Sequence, residues 1–177
     1  MASIGDKLAE AAKRKESGNE AFKAGDHPTA LRRYHETLLY CTGLDTSQLS
    51  AVLGDSADTS ASPQPSTQQA ADIKALQISV HANMALIHVA SGNHSRAVES
   101  CSKCLALDPS HAKALFRRGQ AYVELGQLDK AESDLRAAVR VCPSDPGIRS
   151  LLEEVLARQK TREVEAGSMY KGMFDKK

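Results

Sequence analysis

The chain has 177 residues, a length that suits one folded domain with a continuous core. Hydrophobic residues make up 41% of it and aromatic residues only 4%, and alanine is the commonest residue. This composition favours closely packed helices over an aromatic-rich β-sandwich. The formal net charge of +1 excludes nucleic-acid binding by bulk electrostatics, which needs a large excess of Lys and Arg. Any site for an anion must therefore be local.

The first sixteen residues, MASIGDKLAEAAKRKE, are polar and charged from the sixth residue onward and lack the apolar core of a secretory signal. No apolar run approaches the roughly 18 residues that span a bilayer. We therefore expect a soluble, cytoplasmic protein with no membrane or nucleic-acid partner. Its four cysteines should be reduced there, and their irregular spacing supports no disulfide framework.

Three segments share one pattern, in which an alanine follows a glycine at a fixed distance. They are AGDHPTALRRYHETL (24–38), SGNHSRAVESCSKCL (91–105) and LGQLDKAESDLRAAV (125–139). Ala97 and Ala131 are 34 residues apart, whereas Ala30 and Ala97 are 67 apart, which is 34 plus an insertion of 33. A period of 34 residues is typical of the tetratricopeptide repeat (TPR), a pair of helices that stacks into a solenoid.

The sequence thus predicts an all-α TPR solenoid of three helix-turn-helix repeats plus a C-terminal capping helix. The predicted helices cover about 7–24, 27–43, 70–91, 94–107, 111–125, 128–141 and 145–165. The predicted parts of this single domain are repeat one (11–44), a flexible insertion (about 45–69), repeat two (70–109), repeat three (112–143), the capping helix (about 145–165) and a tail (166–177). Ser, Pro and Gln are abundant in 54–69, a composition that cannot bury enough apolar surface to fold.

The second helix of each repeat has a predicted buried stripe. Its small alanine allows two helices to approach closely, and residues four and seven positions later lie on the same face. The alanines are Ala30, Ala97 and Ala131, and the residues that follow them on the stripe are Tyr34, Thr37, Cys101, Cys104, Leu135 and Ala138.

The first helices, which line the concave face of a TPR solenoid, have polar side chains at related positions. Lys15 and Asn19 are four residues apart in repeat one, as are Lys113 and Arg117 in repeat three, so each pair shares a helical face. Asn83 and Arg117 each lie fourteen residues before the alanine of their own repeat. Cationic and amide donors at these positions suit the carboxylates of a peptide C-terminus, which are costly to bury without several donors.

These residues resemble the carboxylate-clamp TPR co-chaperones. KESGN (15–19) has the Lys-x-x-Gly-Asn pattern of the first repeat in that family, Asn83 matches the asparagine of the second, and KALFR (113–117) has the Lys-x-x-x-Arg pattern of the third. The resemblance implies that all five positions bind the C-terminal Met-Glu-Glu-Val-Asp of heat-shock proteins 90 and 70. Leu86 and Val89 should line the same groove and hold an apolar side chain of the peptide.

Within that family, the long insertion and the ending MYKGMF (169–174) resemble the TPR domain of large immunophilins and the small tetratricopeptide repeat protein nine family. The resemblance implies an adaptor that also has a second, unknown protein partner. The alternative is a scaffold TPR protein that binds an internal or helical segment of a non-chaperone partner, with the five residues incidental. Dependence of binding on a free terminal carboxylate separates the two.

Other signals predict no chemistry. CSKC (101–104) has the spacing of redox and zinc sites, but both cysteines fall on the predicted buried stripe, and no second pair completes a zinc site. No acid or oxyanion donor stands at a recognisable spacing from the six histidines. We expect no catalytic residue, no metal and no cofactor, and therefore no enzyme. Two interpretations are open for Tyr170, Met173 and Phe174: they dock on the last helix, which we favour, or they await a partner.

Overall fold

The computed structural model describes the backbone of residues 3–42 and 65–174, and the side chains of those residues up to 167. Within these ranges the chain consists of helices joined by short turns and contains no strand. The predicted all-α class is confirmed. The helices, in chain order, are α1 (Ile4–Lys23), α2 (His27–Thr42), α3 (Thr67–Ala90), α4 (His94–Leu107), α5 (Ala112–Glu124), α6 (Leu128–Val141) and α7 (Pro146–Phe174).

A glycine in the left-handed region joins the two helices of each repeat. The φ angles are 79° at Gly25, 70° at Gly92 and 70° at Gly126, at the turns after α1, α3 and α5. A side chain with a β-carbon is strained in this conformation, so glycine is the favoured residue there. This confirms that each repeat is a pair of helices joined at its glycine.

Helix α3 begins at Thr67, a little before the predicted start at 70. Ser66 explains the earlier start, because its Oγ accepts a hydrogen bond from the Gln69 backbone N–H (3.2 Å). In return, Gln69 Oε1 accepts one from the Ser66 N–H (2.9 Å). This reciprocal capping box starts a helix inside a segment whose composition predicts a flexible loop. Residues 43–64, which contain most of the predicted insertion, lie outside the described residues.

Helix α7 continues to Phe174, so the predicted helix end at about 165 is wrong. The helix continues because residues 160–174 contain no proline and include helix-forming Lys, Arg and Glu. Tyr170, Met173 and Phe174 therefore belong to the last helix by their backbone and do not fold back onto it. Their side chains lie outside the described residues.

The chain divides into two compact units, Met1–Ile87 and His88–Lys177. In the first unit, α1, α2 and most of α3 bury two apolar clusters. Tyr34 of α2 is the largest fully buried side chain. The cluster members are Ala11, Cys41, Ile73 and Leu76 in the first cluster, and Ala30, Tyr34, Val80, Met84 and Ile87 in the second.

In the second unit, α4 packs against α5, α5 against α6, and α6 against α7. The capping helix α7 buries Ile148 and Val155. Gln159 on α7 donates hydrogen bonds to Asp129 Oδ1 (3.1 Å) and Glu132 Oε2 (2.9 Å) of α6. All nine residues of the predicted buried stripe, counted over both units, have side chains that are completely buried.

None of the helices in the described ranges is both long enough and apolar enough to cross a membrane.

Candidate functional site

Two asparagines and a tyrosine form a hydrogen-bonded group in the first unit, which we call the amide cluster: Asn19, Tyr34 and Asn83. The Tyr34 hydroxyl donates to Asn19 Oδ1 at 2.7 Å, and Asn83 Nδ2 donates to the same oxygen at 3.0 Å. Asn83 Nδ2 also lies 3.5 Å from the Tyr34 hydroxyl oxygen. The fold therefore joins directly two predicted site residues that are 64 positions apart in the chain.

Burial differs within the amide cluster. Tyr34 is completely buried, whereas Asn19 and Asn83 are half-buried. Burial raises the pKa of the Tyr34 hydroxyl, partly offset by the hydrogen bond from Asn83, so the group remains a neutral donor at physiological pH. The two amide side chains thus lie against a buried hydroxyl and are themselves partly exposed to solvent.

Lys15 lies one turn before Asn19 on α1 and is half-buried. Its neighbour Arg14 belongs to a different environment: its Nη1 donates to Glu36 Oε2 at 2.8 Å, and its guanidinium lies 4.9 Å from the centre of the Tyr40 ring. Hydrogen bonding to Glu36 raises the pKa of Arg14. Of these two adjacent cations, Arg14 joins α1 to α2, and Lys15 shares a helical face with Asn19.

In the second unit, Lys113 and Arg117 share a face of α5. Lys113 is exposed, and Arg117 is half-buried. Burial lowers the pKa of Arg117, and the nearby thiols Cys101 and Cys104 act in the opposite direction. Because the pKa of a guanidinium lies far above neutrality, Arg117 keeps its charge. Leu86 and Val89, the two predicted apolar contacts on α3, are both half-buried.

Arg118 has a structural role that the sequence analysis missed. Its Nε and Nη2 donate to Asp134 Oδ2 (2.6 Å) and Oδ1 (2.8 Å), and its Nη1 donates to Ser102 Oγ (3.2 Å). These bonds connect α5 to α6 and to α4. The sequence gives no signal for this ion pair, because spacing alone does not tell whether Arg117 or Arg118 binds Asp134.

The cysteines on α2 and α4 lie in apolar surroundings. Burial raises the pKa of Cys101 to about 12 and the pKa values of Cys41 and Cys104 to about 11. The CSKC (101–104) cysteines are completely buried, as the repeat pattern predicted. Among the described residues, no group of three His, Cys, Asp or Glu side chains is arranged to hold a metal ion.

Comparison with known proteins agrees with this architecture. Residues 85–157 match the family model of the tetratricopeptide repeat. A curated relative, the peptidyl-prolyl cis-trans isomerase FKBP42 of Arabidopsis thaliana, is 29% identical over 171 residues, which cover 97% of this chain and 42% of the relative. The chain spans less than half the length of such relatives, which also include FKBP4 of Mus musculus.

Two solved structures resemble the fold. The C-terminal TPR-containing domain of a Plasmodium falciparum FK506-binding protein superposes with a TM-score of 0.74 at 24% identity, covering 92% of this chain and 96% of that one. The first TPR domain of Spaghetti (RPAP3), solved with the HSP90 peptide SRMEEVD, gives a TM-score of 0.62 at 20% identity, with coverages of 85% and 93%. From its helices, its repeat glycines and these likenesses, the chain has a tetratricopeptide-repeat fold, similar to that of the Plasmodium falciparum and RPAP3 domains.

Proposed function

We propose that this chain is a non-catalytic co-chaperone or adaptor module that binds the C-terminal Glu-Glu-Val-Asp peptide of heat-shock protein 90 or heat-shock protein 70. The proposed clamp binds the C-terminal residue of the peptide, through its carboxylates and its backbone N–H, and consists of Lys15, Asn19, Asn83, Lys113 and Arg117. Leu86 and Val89 are proposed to lie against an apolar side chain of the peptide. A cytoplasmic location and a second, unknown protein partner complete the proposal.

The amide cluster is the observation that carries this proposal. Two half-buried amides held by hydrogen bonds at a buried hydroxyl are costly to order. A binding role explains why polar groups are fixed there. An RPAP3 domain of the same fold binds a peptide that ends in Glu-Glu-Val-Asp, which makes a chaperone terminus the first ligand to test.

The proposed cations add the positive charge that the two amides do not have. Each charge-assisted hydrogen bond to a carboxylate contributes about 1.5–3 kcal/mol before losses of side-chain entropy. Lys113 is exposed and strongly hydrated, whereas Arg117 is half-buried and has already lost part of its hydration. We therefore expect Arg117 to be the more pre-organised of the two donors.

Binding is proposed in place of catalysis, although the relatives include isomerases. The chain covers 42% of FKBP42, and the helices of the described residues are accounted for by the three repeats and α7. A module of this kind acts by binding its ligand, and its affinity for a short peptide comes from a small number of contacts. A five-residue peptide buries little surface, so we expect about −7 to −8 kcal/mol, or micromolar binding.

Isothermal titration with the free-acid peptide Met-Glu-Glu-Val-Asp and with its C-terminal amide tests the proposal. Micromolar binding of the acid, with strongly weakened binding of the amide, is the expected result. If neither peptide binds, the co-chaperone function is wrong and the TPR fold is unaffected. Equal binding of both would point to a scaffold that recognises an internal segment of another protein.

A further inference from the structure

We propose that Tyr34 is a positioning residue for peptide recognition. Its hydroxyl orients the amide cluster so that Asn19 presents a hydrogen-bond donor and Asn83 presents an acceptor to the ligand. The inference rests on the proposed function, because it assigns a task to the same site. It also specifies the ligand chemistry of that site: a terminal carboxylate together with the N–H of the residue that bears it.

The orientation of Asn19 follows from its hydrogen bonds. An amide oxygen has two lone pairs, and Asn19 Oδ1 accepts from both the Tyr34 hydroxyl and Asn83 Nδ2. The acceptor capacity of Asn19 is therefore filled. Its Nδ2 group is what the residue can offer to a ligand, and an N–H donor suits a carboxylate.

The orientation of Asn83 follows from that of Asn19. Asn83 Nδ2 is turned towards Asn19 Oδ1 at 3.0 Å and lies 3.5 Å from the Tyr34 hydroxyl oxygen. Its Oδ1 is left as an acceptor for a peptide N–H. The terminal residue of a peptide offers the matching pair, since its carboxylate accepts and its backbone N–H donates.

The repeats themselves indicate that packing alone does not require the Tyr34 hydroxyl. Cys101 and Leu135 stand at the equivalent positions of repeats two and three, four residues after the shared alanine, and both are completely buried. Neither has a hydroxyl. A tyrosine in repeat one fills the same space and adds a donor that reaches Asn19.

Tyr34 is also well suited to hold this hydroxyl in place. Its ring is completely buried in a cluster with Val80, Met84 and Ile87, so few rotamers are open to it. The 2.7 Å bond has the usual length of a well-formed O–H···O hydrogen bond, and the raised pKa of the buried hydroxyl keeps the proton on the donor. Asn19 and Asn83, each half-buried, would rotate more freely without this partner.

The mechanism explains discrimination between a free terminus and an amide. A C-terminal amide replaces a carboxylate oxygen, which is an acceptor, with an NH₂ group, which is a donor. That group would meet Asn19 Nδ2, and two donors repel each other. Without the Tyr34 hydroxyl, Asn19 could turn over and accept from the amide, so the preference for the acid should shrink.

The test is Tyr34→Phe, which removes one oxygen and keeps the buried ring. Titration with Met-Glu-Glu-Val-Asp acid should give affinity that is lower by about fivefold to tenfold, since one neutral hydrogen bond contributes about 1 kcal/mol. Affinity for the amide peptide should stay the same or rise. Tyr40→Phe is the matched control: Tyr40 is on the same helix, its hydroxyl accepts from Arg14 at 3.3 Å, and the variant should bind like the wild-type protein.

A double-mutant cycle separates positioning from general loosening of the fold. In the Asn19→Ala background, Tyr34→Phe should have no further effect on acid affinity, because the residue through which Tyr34 acts is gone. If Tyr34→Phe binds the acid as well as wild type, or weakens acid and amide equally, or acts fully in the Asn19→Ala background, the positioning role is wrong. These outcomes leave the proposed function standing, which fails only if the wild-type protein shows no preference for the acid.

Discussion

Gly18 of α1 and Tyr34 of α2 approach each other so closely that a β-carbon at Gly18 would lie 2.7 Å from the Cε1 atom of the Tyr34 ring. Gly119 of α5 has the same relationship to α6, where an added β-carbon would lie 2.9 Å from Leu135 Cγ. Both glycines stand twelve residues before the alanine of their repeat. In repeat one this close approach brings the Tyr34 hydroxyl to Asn19, the residue next to Gly18.

Gly18→Ala should therefore disturb both the core and the amide cluster. We expect a loss of about 1–3 kcal/mol in the free energy of unfolding, because the buried ring must shift, and weaker binding of the acid peptide. Urea denaturation and peptide titration measure the two effects. The matched control is Gly167→Ala on α7, where nothing lies within 4 Å of the added carbon and better helix propensity should stabilise the chain by up to about 1 kcal/mol. Equal stabilisation by both substitutions would contradict the steric argument.

Lys113→Ala should weaken binding of the acid peptide by more than about tenfold, since it removes a charge-assisted donor. Lys113 is exposed, so helical content and thermal stability should stay the same. Lys103→Ala on α4, also exposed, removes the same charge outside the proposed site and should bind normally. Binding of the peptide by the wild-type protein should weaken as the salt concentration rises. An affinity that does not depend on salt would indicate that apolar contacts dominate binding.

Arg117 and Arg118 are adjacent, yet their alanine variants should fail in different assays. Arg118→Ala leaves the Asp134 carboxylate, whose side chain is 9% exposed, without its bidentate partner. We expect a loss of about 2 kcal/mol in the free energy of unfolding with little change in peptide affinity. Arg117→Ala should instead lower peptide affinity by more than about tenfold, because it removes a charge-assisted donor. Circular dichroism melts measure the stability of both variants, and peptide titration measures their affinity. Lower affinity in Arg118→Ala with unchanged affinity in Arg117→Ala would contradict this assignment.

Much of the fold was predictable because it rests on local, repeated signals. The glycine turn and the buried stripe recur in each repeat, so several independent positions predict the same pair of helices. The end of α7 was not predictable, because its last turns have helix-forming residues but no apolar period. The Ser66 capping box was overlooked within a polar, loop-like segment.

The sequence predicts the residue types of the proposed site but not the hydrogen bonds between them. The repeat register identified Asn19 and Asn83 as polar positions on first helices, and the structure adds that they touch. The sequence does not reveal the hydrogen-bonding role of Tyr34, because its position in the repeat already predicts a buried residue. Only the structure shows that the ring packs in the core while the hydroxyl binds Asn19. The choice of Arg118 over Arg117 as the partner of Asp134 depends on side-chain direction, which a spacing rule does not give.

The cysteines should differ sharply in reactivity, since the thiolate is the reactive form. With pKa values raised to about 11 or 12, fewer than about one in a thousand of the Cys41, Cys101 and Cys104 thiols are ionised at pH 8. Cys142, at the end of α6, is only half-buried.

A disulfide reagent such as 5,5′-dithiobis-(2-nitrobenzoic acid) should therefore label one thiol quickly in the native protein at pH 8. The other three should react at the rate of unfolding, or as the pH approaches 11. Cys142→Ser should abolish the fast phase and leave the slow one. If two thiols react quickly and Cys101 and Cys104 then form a disulfide, the pair is a redox site and not part of the repeat core. Slow labelling of both is what close packing of α4 against α5 requires, because each sulfur then reaches the reagent only when the helices separate.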